Sequence, residues 1–351
     1  MRARAVVAAA VLTLTGCTTS QQSGSPDSPI PTRAVTAGPT APSASARPSA
    51  QPTPSRASAS TPTPSTSTTP RPSASTSRQP AARFDSRAAI RDVQHLAGDI
   101  GPREATSRAY ARAADFVEER LSDLGYLVRR SSVGVPAGDS WGTPVKKGRS
   151  VNVIAEPLGF DPGEPYVVIG AHLDTVAVSP GAEDNASGVA VLLELARLAA
   201  RRPPGIPVQL IAFGAEEPRG SGDARHHFGS QQHVGDLTRA QRRAIRAMVS
   251  LDRVGVQAGY VPVCRGGGAG SDLRAELRAA ARRVDVRTRA CGNRSSDHWS
   301  FEKADIPAVR LGSIPYAGYH SRGDVVSVVD RGQLDKVGRL MWSWLQRVDQ
   351  G

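Results

Sequence analysis

Apolar residues recur with a helical period in five stretches, residues 87–97, 105–124, 186–202, 271–284 and 331–348. In 105–124 the repeating set is Tyr110, Ala113, Ala114, Val117, Leu121 and Leu124, a spacing that puts one apolar stripe on one helix face. Gly125 follows, a residue suited to the left-handed stop of a helix. Short runs rich in β-branched and aliphatic residues at 127–133, 150–155, 166–171, 207–213, 247–251 and 307–311 predict strands. Strands that alternate with helices predict a largely parallel or mixed sheet with helices on both faces. Residues 136–150 and 218–236 are rich in Gly, Pro and polar side chains and read as loops, and no internal repeat is visible.

The first 80 residues break this pattern. Residues 1–17, MRARAVVAAAVLTLTGC, place two arginines before an apolar run of about eleven residues. That is short of the ~20 a membrane-spanning helix needs. The run ends in Leu14-Thr15-Gly16-Cys17, which resembles a bacterial lipobox. A lipoprotein signal peptide is therefore expected, with lipid on Cys17 holding the protein at the cell membrane, outside the cytoplasm. Residues 18–80 hold 40 Ser, Thr or Pro in 63 positions, with only Ile30 and Val35 from the aliphatic and aromatic class. Such a segment buries too little apolar surface to offset its conformational entropy, which predicts a disordered tether with hydroxyls open to glycosylation. Residues 81–351 remain as one folded domain.

Charge narrows the partners. The net charge is +12, but seven Arg and one Asp in the first 80 residues supply +6 of it. The remaining basic side chains are scattered, with no basic run interleaved with aromatics, so no nucleic-acid partner is expected. Of three cysteines, Cys17 is assigned to lipid, which leaves Cys264 and Cys291 as a pair for a disulfide in an oxidising envelope. No CxxC spacing exists, which argues against a thiolate zinc site.

Polar residues gather where the predicted strands end. His172 follows 166–171, Glu216 and Glu217 follow 207–213, Asp252 follows 247–251, and Asp184 stands just before 186–202. In an open α/β sheet the ligand crevice lies beyond the carboxyl ends of the strands. One such residue alone is ordinarily satisfied or solvated. Together they stack like charges on one rim, which is unfavourable unless cations neutralise them. Imidazole and carboxylate without thiolate suit zinc or a similar divalent ion, and five ligands allow two ions if one carboxylate bridges them. Asp184 also gains from the positive end of a helix, and Asp174 is placed to accept a hydrogen bond from the other ring nitrogen of His172. Glu216 and Glu217 are adjacent and point in different directions, so one can bind metal while the other stays free as a base.

Six pieces of sequence, GAHLDT (170–175), PGAEDNASGVAVLLELAR (180–197), AFGAEE (212–217), SLDRVG (250–255), SSDHWSF (295–301) and YHSRGD (319–324), together resemble the M28 family of zinc exopeptidases, bacterial aminopeptidase type. The resemblance spans most of residues 150–325, in the family's order. It implies a three-layer α/β/α sandwich around a mixed, mostly parallel sheet, two zinc ions per domain, and removal of N-terminal residues from peptides. Position by position it implies His172 and Asp252 on one zinc, Glu217 and His320 on the other, and Asp184 bridging both. Glu216 would be the general base, Asp174 the partner of His172, and Tyr319 a donor to the tetrahedral intermediate. A cis Asp184–Asn185 bond is implied as well.

Two stretches depart from the family pattern. The loop after Glu217, PRGSGDARHHFGSQQHV, is longer than usual before Gly229-Ser230, and Ser300 stands where proline is commoner. His226 and His227 in that loop read as solvated, His298 as a residue that shapes its loop, and His95 and His233 as structural. A glutaminyl-cyclase-like transferase using one metal, or a carboxypeptidase, would fit the same fold. A metal-free binding lipoprotein is disfavoured, because a binder has no need of five ligands and a base. A monomer acting on peptides is expected.

Overall fold

The computed structural model describes residues 83–348, so the expected signal peptide, Cys17 and the tether lie outside the described residues. The strands are β1 (Leu127–Val135), β2 (Gly138–Ser140), β3 (Thr143–Val145), β4 (Gly148–Glu156), β5 (Tyr166–His172), β6 (Val208–Phe213), β7 (Ile245–Leu251), β8 (Val261–Arg265), β9 (Thr288–Gly292) and β10 (Ala308–Leu311). Eight of them form one sheet in the order β1-β4-β6-β5-β7-β10-β8-β9, while β2 and β3 pair as a separate hairpin. β5 runs parallel to β6 and β7, and β7 parallel to β10. Antiparallel pairs join β1 to β4, β4 to β6 and β8 to β10. The sheet is mixed, with a parallel centre.

Helices cover both faces. α1 (Ser86–Val93), α2 (Arg108–Asp123), α3 (Ser187–Arg201), α6 (Ser271–Arg283) and α8 (Arg331–Leu345) pack on the side of Val167, Ile169, Leu210 and Val249. α4 (Phe228–Asp236), α5 (Arg239–Ala244) and α7 (His298–Glu302) pack on the side of Val168, Ile211 and Met248. Every residue of β5 and β6 is buried as a result, which is why these strands read as unbroken apolar runs rather than alternating ones. α2 ends as its sequence suggests, with Gly125 at φ +87°. Cys264 and Cys291, register partners on β8 and the edge strand β9, are joined in a disulfide. Among the described residues no helix is long and apolar enough to cross a membrane.

The two stretches expected as loops are partly regular. Residues 136–150 contain the β2–β3 hairpin and the start of β4, and residues 218–236 end in α4. Strands of three residues carry too little periodicity to read. α4 packs through Gly229, Ser230, His233 and Val234, a mostly small and polar set, so its buried face makes no apolar stripe.

His233 lies buried on α4 between the rings of Phe213 and Phe301, and its Nε2 has no hydrogen-bond partner among the described residues. Burial, with some help from Arg129, pushes its pKa down to about 4. The folded state therefore keeps the neutral ring while the unfolded chain takes a proton below the ordinary value near 6.5. The stabilising difference is complete above about 6.5 and is lost as pH falls toward about 4, at up to about 1.4 kcal/mol per pH unit. His233→Phe is expected to flatten this acid limb. Urea midpoints measured from pH 7 to 4.5 that fall in parallel for both proteins would refute it.

Candidate metal centre

Parallel strands β5, β6 and β7 are neighbours, so their carboxyl ends bring His172, the Glu216–Glu217 pair and Asp252 to one rim. Asp184 comes from the irregular turn Ala182–Ala186 that leads into α3, and the Asp184–Asn185 bond is cis. Several partners hold this turn. Asp324 accepts the Glu183 amide at 2.8 Å and the Asp184 amide at 3.0 Å on its two oxygens. Glu183 accepts the amides of Gly255 and Val256 at 2.7 and 3.1 Å, and Asn185 donates to the Leu251 carbonyl at 2.8 Å. A Cβ on Gly188 would lie 2.3 Å from that same carbonyl, so only glycine lets α3 begin this close to β7.

The side chains converge around Asp184. His172 Nε2 lies 3.1 Å from Asp184 Oδ1 and 3.8 Å from Asp252 Oδ1. His320 Nε2 lies 3.3 Å from Asp184 Oδ2 and 3.2 Å from Glu217 Oε2. All five side chains are buried. Arg310, itself buried, reaches Asp252 Oδ1 at 2.9 Å.

Without cations this cluster is electrostatically strained. Burial, then the neighbouring carboxylates, push Glu216 and Glu217 up to about 8. Burial works against ionisation of Asp184 and Asp252 too, but His172 and His320 hold Asp184 low, and Arg310 and His172 hold Asp252 low. For His320, burial opposes the charge, and Glu217 with Asp184 overcomes it to about 10.

The residues fit divalent ions. Donors about 2.0–2.1 Å from a zinc ion in a tetrahedron lie about 3.3 Å apart, close to the nitrogen–oxygen separations here. Two groups, His172–Asp184–Asp252 and Asp184–Glu217–His320, each have ligand atoms within 4.8 Å of one another, and they share Asp184. Glu217 Oε1 and His320 Nδ1 are buried without a hydrogen-bond partner among the described residues. A nitrogen and oxygen donor set without sulfur suits zinc.

Other residues depart from their sequence reading. The Asp174 carboxylate accepts the backbone amides of Glu216 and Glu217 at 3.0 and 3.1 Å, and stands 3.8 Å from His172 Nδ1. The ring nitrogen is nearer the backbone oxygen of Asp174, at 3.1 Å. Asp174 thus sets the two glutamates as well as the histidine. His227 is not solvated: it is 1% exposed, with Nε2 3.2 Å from Glu216 Oε1, while His226 is half-buried beside it. The reading failed because the loop closes back onto the site, where Asn152 bonds both Gly214 and Gly229. Ser300, in place of the commoner proline, pairs its hydroxyl with Ser230 at 2.9 Å. His298 begins α7 and contacts the Asn293 carbonyl at 3.0 Å.

The rim is aromatic. Tyr319, 38% exposed, stacks on His320 with ring centroids 3.7 Å apart, and the Arg253 guanidinium lies 4.2 Å from its ring. Trp141, 54% exposed at the turn of the β2–β3 hairpin, meets the His320 ring edge-on at 4.3 Å. Sequence reasoning missed Trp141 because its hairpin was read as loop. It also gave no role to Arg310 or Asp324, although Asp324 stands only four residues after His320.

Comparison with known proteins agrees with this architecture. A model of peptidase family M28 matches residues 152–345, more than half of the chain. The chain belongs to peptidase family M28. Within the family's wider circle, Aminopeptidase YwaD of Bacillus subtilis is 30% identical over 186 residues, 50% of this chain and 39% of that protein. Uncharacterized protein YfbL of Escherichia coli is 32% identical over 175 residues, 47% of this chain and 48% of that protein. The matched region thus spans about half or less of these relatives. BSAP, a zinc aminopeptidase from Bacillus subtilis, superposes with a TM-score of 0.66 at 19% identity, over 75% of this chain and 94% of that one. Porphyromonas gingivalis glutaminyl cyclase superposes with a TM-score of 0.64 at 25% identity, over 75% and 98%. The M28 chain shares its α/β/α fold with both.

Proposed function

We propose that this M28 chain is a two-zinc aminopeptidase. One observation carries the reading: Asp184 turns one oxygen to His172 and the other to His320, at 3.1 and 3.3 Å, as a carboxylate shared by two ions would. His172 and Asp252 would hold one ion, Glu217 and His320 the other. Bound there, the ions supply Lewis acidity to the scissile carbonyl and to the attacking water. Glu216 Oε2 faces the cluster, 4.0 Å from His172 Nε2, where it takes the water's proton and returns it to the leaving amine. Tyr319 stacks on His320 at the mouth, and in this reading its hydroxyl would donate to the oxygen that gains charge. A free α-amino group is the substrate feature that separates this reading from a carboxypeptidase.

The test is a panel of aminoacyl-p-nitroanilides and their N-acetylated forms, with metal content measured in parallel. Two zinc ions per chain and hydrolysis only of the free-amine substrates are expected. The likeness to glutaminyl cyclases favours one second reading, in which only one of the two ligand groups holds an ion. One ion per chain and cyclisation of N-terminal glutamine would select it.

We also propose that lipid on Cys17 tethers the enzyme to the outer face of the cytoplasmic membrane. Cys17→Ala is expected to move the protein from the detergent phase to the aqueous phase, and unchanged partitioning would rule the anchor out.

A further inference from the structure

The long segment between Glu217 and Gly229 returns to the site and inserts His227 behind Glu216. Two contacts join the residues. The His227 backbone amide donates to the Glu216 carbonyl at 2.8 Å, and His227 Nε2 lies 3.2 Å from Glu216 Oε1. His227 has φ +59°, left-handed backbone that is uncommon outside glycine, and the next amide, of Phe228, bonds the Ala215 carbonyl at 2.8 Å. Such conformations persist where surrounding structure fixes them, and they cluster at functional sites. Here the surroundings are the α4 N-terminus, the Asn152 bridge and the burial of the ring.

The Glu216 carboxylate has two available roles. Oε1 meets His227, while Oε2 faces His172, Glu216's partner in a third set of potential ligands, His172–Glu216–Glu217. A carboxylate free to rotate about its last torsion could join the ions as a further ligand and cease to be a base. We propose that His227 is a positioning residue that holds Glu216 Oε1 and so keeps Glu216 outside the metal coordination. His227 Nε2 stands 3.2 Å from Glu216 Oε1 and 3.4 Å from His226 Nδ1, and a proton on Nε2 would let it donate to the carboxylate, while Nδ1 is buried without a hydrogen-bond partner among the described residues. This role rests on Glu216 being the base of the reading above, and it assigns work to a segment whose length departs from the family pattern.

The test uses full-length protein loaded with Co²⁺ as well as Zn²⁺. His227→Ala is expected to lower kcat about 10–100-fold, as loss of a partner around metal ligands does, with KM within about threefold and two ions still bound. In the Co²⁺ protein, entry of Glu216 raises the coordination number and weakens the visible absorption. His227→Gln, whose amide nitrogen also donates, is expected to restore kcat to within about fivefold and the absorption in full. The double variant Glu216→Gln/His227→Ala should regain the wild-type absorption, because the entering carboxylate is gone. Unchanged absorption and kcat in His227→Ala, with two ions bound, would overturn this role and leave the two-metal reading standing. Equal failure of the Ala and Gln variants with loss of metal would overturn it as well, in favour of a structural part. A wild-type chain that binds no Co²⁺ would bring down the two-metal reading, and this role with it.

Discussion

Glu216→Gln is expected to lower kcat by about 10²–10⁴-fold, the usual contribution of a general acid–base group, with both ions retained. The amide keeps the shape of the side chain and one oxygen, but it cannot take a proton from water at neutral pH. Its burial and its backbone position, fixed by the hydrogen bond that the Glu216 backbone N–H donates to the Asp174 carboxylate at 3.0 Å, do not depend on the charge. Metal content should hold because the five proposed ligands are untouched. Affinity for a metal-directed hydroxamate should stay within about tenfold, or about 1.4 kcal/mol, the loss being one hydrogen bond. Near-normal turnover with full metal would make Glu216 a bystander. Loss of an ion would mean that Glu216 and Glu217 have exchanged roles.

The parts of this architecture that were legible in the sequence are those in which burial writes a period. Strands β5 and β6 sit between two helical layers and show as apolar runs, α2 shows its core stripe, and α3, buried nearly all round, shows as an apolar helix. The edge of the sheet was less legible. β8 and β9 are five residues each, and β9 is largely exposed, so no apolar run marks it. At the site, residues on strand ends could be placed because the parallel order of β5, β6 and β7 fixes where the ends go. His227 could not be placed this way, since its contact with Glu216 depends on the path of a loop and on a left-handed backbone that no local pattern requires. Asp174 shows the limit in another form. The motif spacing pointed to His172, but three-dimensional structure shows the carboxylate serving two amides from a different strand end. Arg310 was hidden for the opposite reason: a buried arginine in β10 looks like a flaw in an apolar strand until Asp252 is seen beside it.

Asp184→Asn is expected to have the other large effect, because this residue alone belongs to both ligand groups. Its two oxygens face different histidines, Oδ1 toward His172 and Oδ2 toward His320. Asparagine retains one oxygen and replaces the other with an NH₂ group, which cannot ligate a cation and presents hydrogens where a lone pair was needed. One group therefore loses a ligand outright, and the other keeps a neutral oxygen in place of a charged one. Bound zinc should fall from two ions to at most one, and kcat should drop about 10³–10⁴-fold, since several kcal/mol of charge stabilisation depend on the pair. The backbone bonds of the turn to Asp324 do not involve the altered atoms, so the fold should persist. The rise in unfolding temperature on adding zinc should shrink, because ligand-linked stability scales with affinity for the folded state. Glu217→Ala gives the comparison, as it removes a ligand from one proposed group while leaving the other complete. If both variants keep one ion with the same affinity, Asp184 is an ordinary single-site ligand. If Asp184→Asn keeps two ions and turns over within tenfold of the parent, it is not a ligand that bridges them.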